Sequence, residues 1–423
     1  MNPILLGCIA DDFTGATDLA NNLVRSGMRT LQTIGIPEAS NAAQVDAVVI
    51  SLKTRTIPVD EAIEQSLRAL AWLQASGAQQ IYFKYCSTFD STASGNIGPV
   101  AEALMRALDT DFTIATPAFP ENKRFVFQGH LFLGDQLLNE SGMQNHPLTP
   151  MLDSNLVRVL QSQCQLPIGL IDHQCINEGS QMIEAKFQDL RANSVGIAIV
   201  DAISNRDLFE IGRACKSLPL VTGASGIAIG LPQNFSLSEA SQAELLPAAT
   251  GLQAILSGSC SQASNLQVAT FIKAGLPAYQ INPLALTNNP DAIQHALDWA
   301  IAHVQQGPVL IYSTADPNAV KAIQNQLGIA EAGNLIENAL AAIAQGLVSA
   351  GVRQLIVAGG EVSGACVQAL GIKQLQIGTQ IDPGVPWCYA NSEIIENQGI
   401  HLALKSGNFG SPDFFLKSFR MLA

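Results

Sequence analysis

The 423-residue sequence predicts an α/β protein made of two α/β domains with mainly parallel sheets and an interdomain active-site cleft. Three observations carry this expectation. Short apolar runs end in Gly- or Asp-containing turns and lead into amphipathic stretches, the rhythm of strands alternating with helices in a parallel sheet. That rhythm breaks over 231–251, where Pro232, Asn234, Ser236, Ser238, Ser241 and Pro247 accumulate without a strand pattern. The length, at ~150 residues per domain, allows two or three domains. We therefore expect a first domain over 1–235 and a second over 250–423.

In chain order, Ile4–Ala10 reads as a buried strand and Ala16–Ser26 as a helix with Leu19, Leu23 and Val24 near one face. Val45–Ser51 reads as a strand, Val59–Ser76 as a helix with Ile63, Leu67, Leu70 and Leu73 at helical spacing, and Ile81–Lys84 as a third strand. The helical stretch Val100–Leu108 precedes a strand at Phe112–Thr116; Ser194–Asp201 and Leu218–Thr222 continue the series. Gly223–Gly230 is rich in small residues and suits helix packing or a hinge. After the break, strands restart at Leu252–Leu256 and continue with Val309–Tyr312, Leu355–Ala358 and Leu402–Lys405.

Composition narrows the function. Lys plus Arg total 22 and Asp plus Glu 35, a formal charge of −13. A broad basic surface for nucleic acid is excluded, while a small anion needs only a few local donors. Hydrophobic residues are 48% of the chain and charged ones 13%, enough apolar content for a large core and against global disorder. No apolar run approaches the ~20 residues of a membrane span. Asp11-Asp12 cuts the first apolar run short and no basic leader precedes it, so no signal peptide is expected. The eight cysteines (8, 86, 164, 175, 215, 260, 366, 388) contain no Cys-x-x-Cys pair, which points to reduced thiols in a cytoplasmic protein.

Candidate chemistry sits where expected strands end. In the second half, Ser257-Gly258-Ser259-Cys260-Ser261, Gly359-Gly360-Glu361-Val362-Ser363-Gly364 and Ser406-Gly407-Asn408-Phe409-Gly410 each follow a strand. Small residues let backbone N–H groups approach a phosphate, and a helix N-terminus adds positive character. Each loop alone is equally an ordinary capped turn. Neither a Walker A motif nor Gly-x-Gly-x-x-Gly is present. In the first half, Asp11 and Asp12, Arg55, and Lys84 with Asp90 follow successive strands. Arg55 offers a planar fork for a carboxylate, Lys84 a point charge, and the aspartates accept hydroxyl hydrogen bonds or a proton. For each cation alone the competing reading is a surface ion pair. Together they suggest a small polyhydroxylated acid. Pro117–Arg124 and His146-Pro147-Leu148-Thr149-Pro150 are candidates to cover the site, and His130 or His146 to touch ligand.

Five motifs in order, Ile9-Ala10-Asp11-Asp12-Phe13-Thr14-Gly15-Ala16, Lys84–Thr92, Leu256–Ser261, Ala358–Glu361 and Lys405–Gly410, resemble the four-carbon acid sugar kinases over nearly the whole chain. Gly95–Val100, Asn145–Pro150 and Ile381–Trp387 resemble the subgroup acting on 3-oxo acids. The resemblance implies an N-terminal sugar-acid domain, a C-terminal nucleotide domain, and ATP-dependent phosphorylation of the 4-hydroxyl of a 3-oxo-tetronate, with D-threonate or D-erythronate as the alternative. It implies ATP contacts at Ser257 or Ser259, at Gly360, Glu361, Val362 and Ser363, and at Gly407. It places substrate contacts at Asp11, Asp12, Arg55 and Lys84. Asp12 is the first candidate for the base and Asp90 the second; Glu361 is the candidate Mg²⁺ ligand. Val362 stands where that family commonly has Thr. The expected partners are the sugar acid and ATP, with a homo-oligomer possible. A hydroxy-acid dehydrogenase is the weaker rival, because the dinucleotide fingerprint is missing.

Overall fold

Nine of the eleven residues from Leu6 to Ala16 are buried, and the stretch builds the first strand–turn–helix unit of the computed structural model. The structure describes residues 4–37, 45–89, 92–145, 149–235, 237, 245–315, 317–396 and 398–422. It divides into two compact units, Met1–Ala243 and Glu244–Ala423.

The strands of the first unit are β1 (Leu6–Ala10), β2 (Thr30–Ile34), β3 (Ala47–Ser51), β4 (Gln80–Lys84), β5 (Thr113–Thr116), β6 (Arg124–Phe127), β7 (His130–Leu133), β8 (Gln136–Leu137), β9 (Ile168–Ile171), β10 (Ile197–Val200) and β11 (Leu220–Gly223). Eight of them form a parallel sheet in the order β2-β3-β1-β4-β11-β5-β10-β9. Every residue of β1, β3, β4, β5, β10 and β11 is buried, as expected for central parallel strands covered on both faces. β3, β1 and β4 are neighbours, so the turns that follow them share one stretch of the carboxyl edge.

The first helix runs Phe13–Arg25, beginning three residues before the apolar pattern suggests, because the Asp12 side chain caps it by accepting from the Gly15 N–H. The helix Val59–Ala75 buries Ala62, Ser66, Ala69, Leu70 and Leu73, with Ile63 and Leu67 on the flank of that face. Ile97–Ala107 forms the third. The Gly223–Gly230 stretch makes a buried 3-10 turn at Ser225–Gly230. It packs too tightly for side chains: a Cβ on Gly226 would lie 2.2 Å from the Ala118 carbonyl oxygen, and one on Gly230 2.2 Å from that of Leu208. Three features depart from the sequence reading. β2 and β9 join the sheet, and β6, β7 and β8 form a small separate antiparallel sheet.

The second unit contains β12 (Leu252–Ser257), β13 (Ala278–Gln280), β14 (Val309–Tyr312), β15 (Val352–Ala358), β16 (Gln374–Asp382), β17 (Val385–Ser392) and β18 (Gln398–Lys405). Their order is β13-β14-β12-β15-β18-β17-β16. The first five are parallel; β16–β17 and β17–β18 are antiparallel, a meander not foreseen from the sequence. The meander folds back because Asp382-Pro383-Gly384 makes a tight turn with Gly384 at φ 80°. Trp387 of β17 is fully buried among Phe271, Phe414, Phe415 and Phe419, and its indole N–H donates to the Ser418 carbonyl at 2.9 Å. Among the described residues no helix is long and apolar enough to cross a membrane. All eight cysteines are free thiols.

Candidate functional site

In the first unit the ends of β1, β3 and β4 assemble a charged cluster. The Asp11 backbone links them, its N–H donating to the Lys84 carbonyl and its carbonyl accepting from Thr54. Arg55 grips Asp11 with both prongs, Nε to Oδ2 at 2.9 Å and Nη2 to Oδ1 at 2.8 Å, and Nη2 reaches Asp12 Oδ1 at 2.6 Å. Asn96 fixes the turn that carries Arg55 by donating to the Thr54 and Ile57 carbonyls at 2.7 and 2.9 Å. The Asp12 carboxylate also accepts from the Thr14 hydroxyl at 2.8 Å and the Gly15 N–H at 3.1 Å. Lys84 is buried; its Nζ donates to the Tyr85 carbonyl at 2.6 Å and lies beside Gly15, where an added Cβ would come within 2.9 Å of it.

Asp11, Asp12, Arg55 and Lys84 are thus brought together. The Arg55 fork is engaged by Asp11 in this structure, and the described bonds use its Nε and Nη2 and leave Nη1. Burial alone would raise the pKa of Asp12, but Arg55, Lys84 and the Thr14 and Gly15 hydrogen bonds outweigh it and hold the carboxylate anionic. A small recess opens beside the ion pair, lined by Asp11, Thr54, Arg55, Phe83, Asn96, Ile97 and Val100. Asp90 and His146 lie outside the described residues. His130 binds backbone and Asn155 on the small antiparallel sheet.

One residue of this region escaped the sequence reading. Asp18, on the first helix, accepts from the Ser225 hydroxyl, and its Oδ1 is buried with no hydrogen-bond partner. Burial pushes its pKa up to about 7, against the pull of Lys84. Its signal was a carboxylate six residues after Asp12 in a helix whose other face is apolar.

In the second unit β12, β15 and β18 are adjacent, so the three loops meet. Gly258 and Ser259 donate their N–H groups to the Ala358 carbonyl at 3.0 and 3.2 Å, and Gly359 donates to the Lys405 carbonyl at 2.8 Å. Gly359 has φ 128°, a conformation other residues rarely take, and a Cβ there would sit 3.3 Å from the Ser259 nitrogen. A Cβ on Gly407 would lie 2.5 Å from Ser259 Oγ. Ser259, Gly359 and Gly407 therefore border one another. Ser261 caps the helix Gln262–Lys273 and also donates to the Gly407 carbonyl at 2.6 Å.

The remaining named residues divide by direction. Ser257 is buried with its hydroxyl 2.7 Å from that of Thr314. Ser363 is buried with its hydroxyl donating to the Val357 carbonyl and its N–H to that of Gly359. Val362 packs over Gly258, where a Cβ would come 2.5 Å from its Cγ2. Gly360 and the exposed Glu361 open the helix Gly360–Ala369. Among the described residues no group of three or more His, Cys, Asp or Glu side chains could hold a metal by itself. Mg²⁺ keeps most of its ligands as phosphate and water oxygens, so one protein carboxylate such as Glu361 would be enough to help hold it. Lys405, given no role by the sequence pattern, lies fully buried beneath the third loop.

Residues 6–231 match a family model described as a sugar-binding N-terminal domain, and residues 254–415 one described as a nucleotide-binding C-terminal domain. A 3-oxo-tetronate kinase of Burkholderia multivorans is 57% identical over 422 residues, 99% of this chain and 97% of that one. Among solved structures, a Salmonella typhimurium protein described as a putative tRNA synthase has a TM-score of 0.85 at 44% identity, covering 99% of each chain. A Haemophilus influenzae protein has a TM-score of 0.76 at 44% identity, covering 99% of this chain and 100% of that one.

Proposed function

Since the chain belongs to the four-carbon acid sugar kinase family, we propose that it transfers the γ-phosphate of ATP to the 4-hydroxyl of 3-oxo-tetronate. One observation carries this reading beyond kinship: three small-residue loops meet at the carboxyl ends of β12, β15 and β18, where a parallel sheet binds its ligand. In this reading ATP phosphates are held by backbone donors around Ser259, Gly360, Glu361 and Gly407. The hydroxyls of Ser257 and Ser363 face inward and support those loops, with no phosphate contact of their own. Val362 contributes shape, holding Gly258.

The sugar acid is assigned to the Asp11, Asp12, Arg55 and Lys84 cluster. Two carboxylates and two cations cancel there, so an incoming carboxylate meets paired charges, with Lys84 and the Nη1 edge of Arg55 as donors. Asp12 accepts the hydrogen bond of the attacking hydroxyl. Its lowered pKa makes it a weak base, which suits phosphoryl transfer through a loose transition state, where the proton leaves late and positioning dominates. Glu361 would help hold Mg²⁺, which when bound with ATP offsets the charge of its phosphates. A tRNA-directed activity has no support from a chain with formal charge −13.

The test is an ADP-release assay with ATP, Mg²⁺ and a panel of four-carbon acids, followed by ³¹P NMR of the product. The proposal expects ADP and a 4-phosphate from 3-oxo-tetronate, with slower turnover of D-threonate and D-erythronate. Turnover favouring threonate or erythronate would move the assignment to that alternative. Absence of ADP release with every acid, or a nicotinamide-dependent absorbance change, would overturn it.

A further inference from the structure

Lys405 ends β18 with its side chain turned into the protein. Four oxygens surround its ammonium: Ser264 Oγ at 3.2 Å and the carbonyls of Ser406, Gly407 and Phe409 at 3.0, 3.1 and 3.2 Å. All four are neutral. The titratable groups on the surrounding elements are Cys260 after β12, Lys273 on the helix Gln262–Lys273, Arg353 on β15, Glu361 and Cys366 on the helix Gly360–Ala369, Asp382 on β16, Cys388 and Tyr389 on β17, His401 on β18, and Asp413 and Lys417 beyond it. Among the described contacts none bonds to the ammonium; Asp382 is held by Lys417 and Ser411. A buried charge without a counter-charge is costly, and an apolar side chain of similar length would fill the space at less cost.

The loop above it is organised by this contact. The Gly407 carbonyl accepts from Ser261, Ser264 and Lys405 together. A trans peptide points its carbonyl and the following N–H in opposite directions, and no cis peptide occurs among the described residues. Carbonyls of Ser406 and Gly407 drawn toward Lys405 therefore turn the N–H groups of Gly407 and Asn408 the other way. Asn408 is exposed and Gly407 half-buried, on the side that borders Ser259.

We propose that Lys405 is the positioning residue of this loop: it gathers the carbonyls so that the Gly407 and Asn408 N–H groups face a nucleotide phosphate, and it supplies an uncompensated positive charge beneath them. The inference rests on the reading of the second unit as the one that holds ATP. Burial lowers the Lys405 pKa to about 7. A bound polyphosphate favours the charged form, so ATP affinity is expected to fall as pH rises above that point.

Calorimetric titration of the full chain with magnesium-bound ATP between about pH 6 and about pH 9 tests this, with two buffers of different ionisation enthalpy to count protons. For the wild type, affinity should weaken by up to about tenfold per pH unit above neutrality, with uptake approaching one proton. Lys405→Met should weaken ATP binding by about tenfold or more at neutral pH, flatten the pH profile, and leave the KM for the acid unchanged. A folded Lys405→Met chain that binds ATP as the wild type does overturns the inference. If that variant does not fold, the wild-type measurement decides alone: pH-independent binding without proton uptake overturns the inference and leaves the nucleotide reading standing. No ATP binding at any pH overturns both.

Discussion

At the carboxyl edge of the first unit's sheet, side chains carry the charge. Arg55 is hydrogen-bonded to both Asp11 and Asp12, Thr14 and Gly15 also donate to Asp12, and the buried Lys84 adds its charge from beside Gly15. At the carboxyl edge of the second unit's sheet, Gly- and Ser-rich loops present their backbone together with the exposed Glu361 and Asn408, and among the described contacts the buried Lys405 bonds to neutral oxygens. The contrast teaches two ways of meeting an anion. A small hydroxy acid needs directional partners for both carboxylate and hydroxyl, which only side chains of both signs provide. A polyphosphate is bound more simply by donors and surplus positive potential.

The largest expected effect comes from breaking the first cluster at its centre. Asp12→Asn keeps a side-chain cap for the first helix but leaves Arg55 and Lys84 with one carboxylate between them, so some stability should be lost while the fold is kept. Activity should fall by about 10²–10⁴-fold, the range for loss of a proton-accepting group, measured by initial rates alongside circular dichroism. Full activity in this variant would remove Asp12 from the reaction. Gly359→Ala attacks the second edge: φ 128° is strained for alanine. We expect a loss of about 1–3 kcal/mol of stability and a raised KM for ATP with the acid KM unchanged. Steady-state kinetics in both substrates would read this split.

Asp18 and Lys405 sharpen the contrast through opposite pH dependences. Asp18, with its pKa raised to about 7, keeps a proton in the folded chain that the unfolded chain has lost above about pH 4. Folded chain binding more protons means that stability falls as pH rises between those values, by at most about 1.4 kcal/mol per pH unit. Lys405, lowered to about 7, loses its proton in the folded chain while the unfolded chain keeps it to about pH 10, so its contribution rises with pH over that window. Denaturant titrations at several pH values should show the first slope vanish in Asp18→Asn and the second in Lys405→Met. The smallest effect belongs to Ser363→Ala, whose hydroxyl bonds inward to Val357. Loss of about 1 kcal/mol with KM for ATP changed less than about twofold is expected.

Much of this layout was legible beforehand, and the reasons are physical. Strands buried on both faces read as continuous apolar runs, so β1, β3, β4, β12, β14 and β15 stood out. β2, with Gln32 and two threonines, and the short β9 gave no such run. The β16–β17 hairpin mixes exposed and buried positions, so its sequence lacks a clear strand signature. Charged residues directly after apolar runs marked Asp11, Asp12, Arg55 and Lys84, because a sheet edge collects whatever follows its strands. The direction of a side chain was not legible. Ser257 and Ser259 are chemically alike, yet strand geometry buries the first against Thr314 and leaves the second at the mouth of the loops. Lys405 looked like the end of a strand, and only its enclosing carbonyls reveal its place.

Hydrogen–deuterium exchange of the full chain, with a non-hydrolysable ATP analogue and the sugar acid added separately, tests the division of labour most directly. The account predicts that the nucleotide slows exchange over 257–261, 359–364 and 406–410, and that the acid slows it over 11–15, 52–55 and 84–87. Protection of the Asp11–Gly15 turn by nucleotide alone, with the glycine loops unaffected, would contradict it.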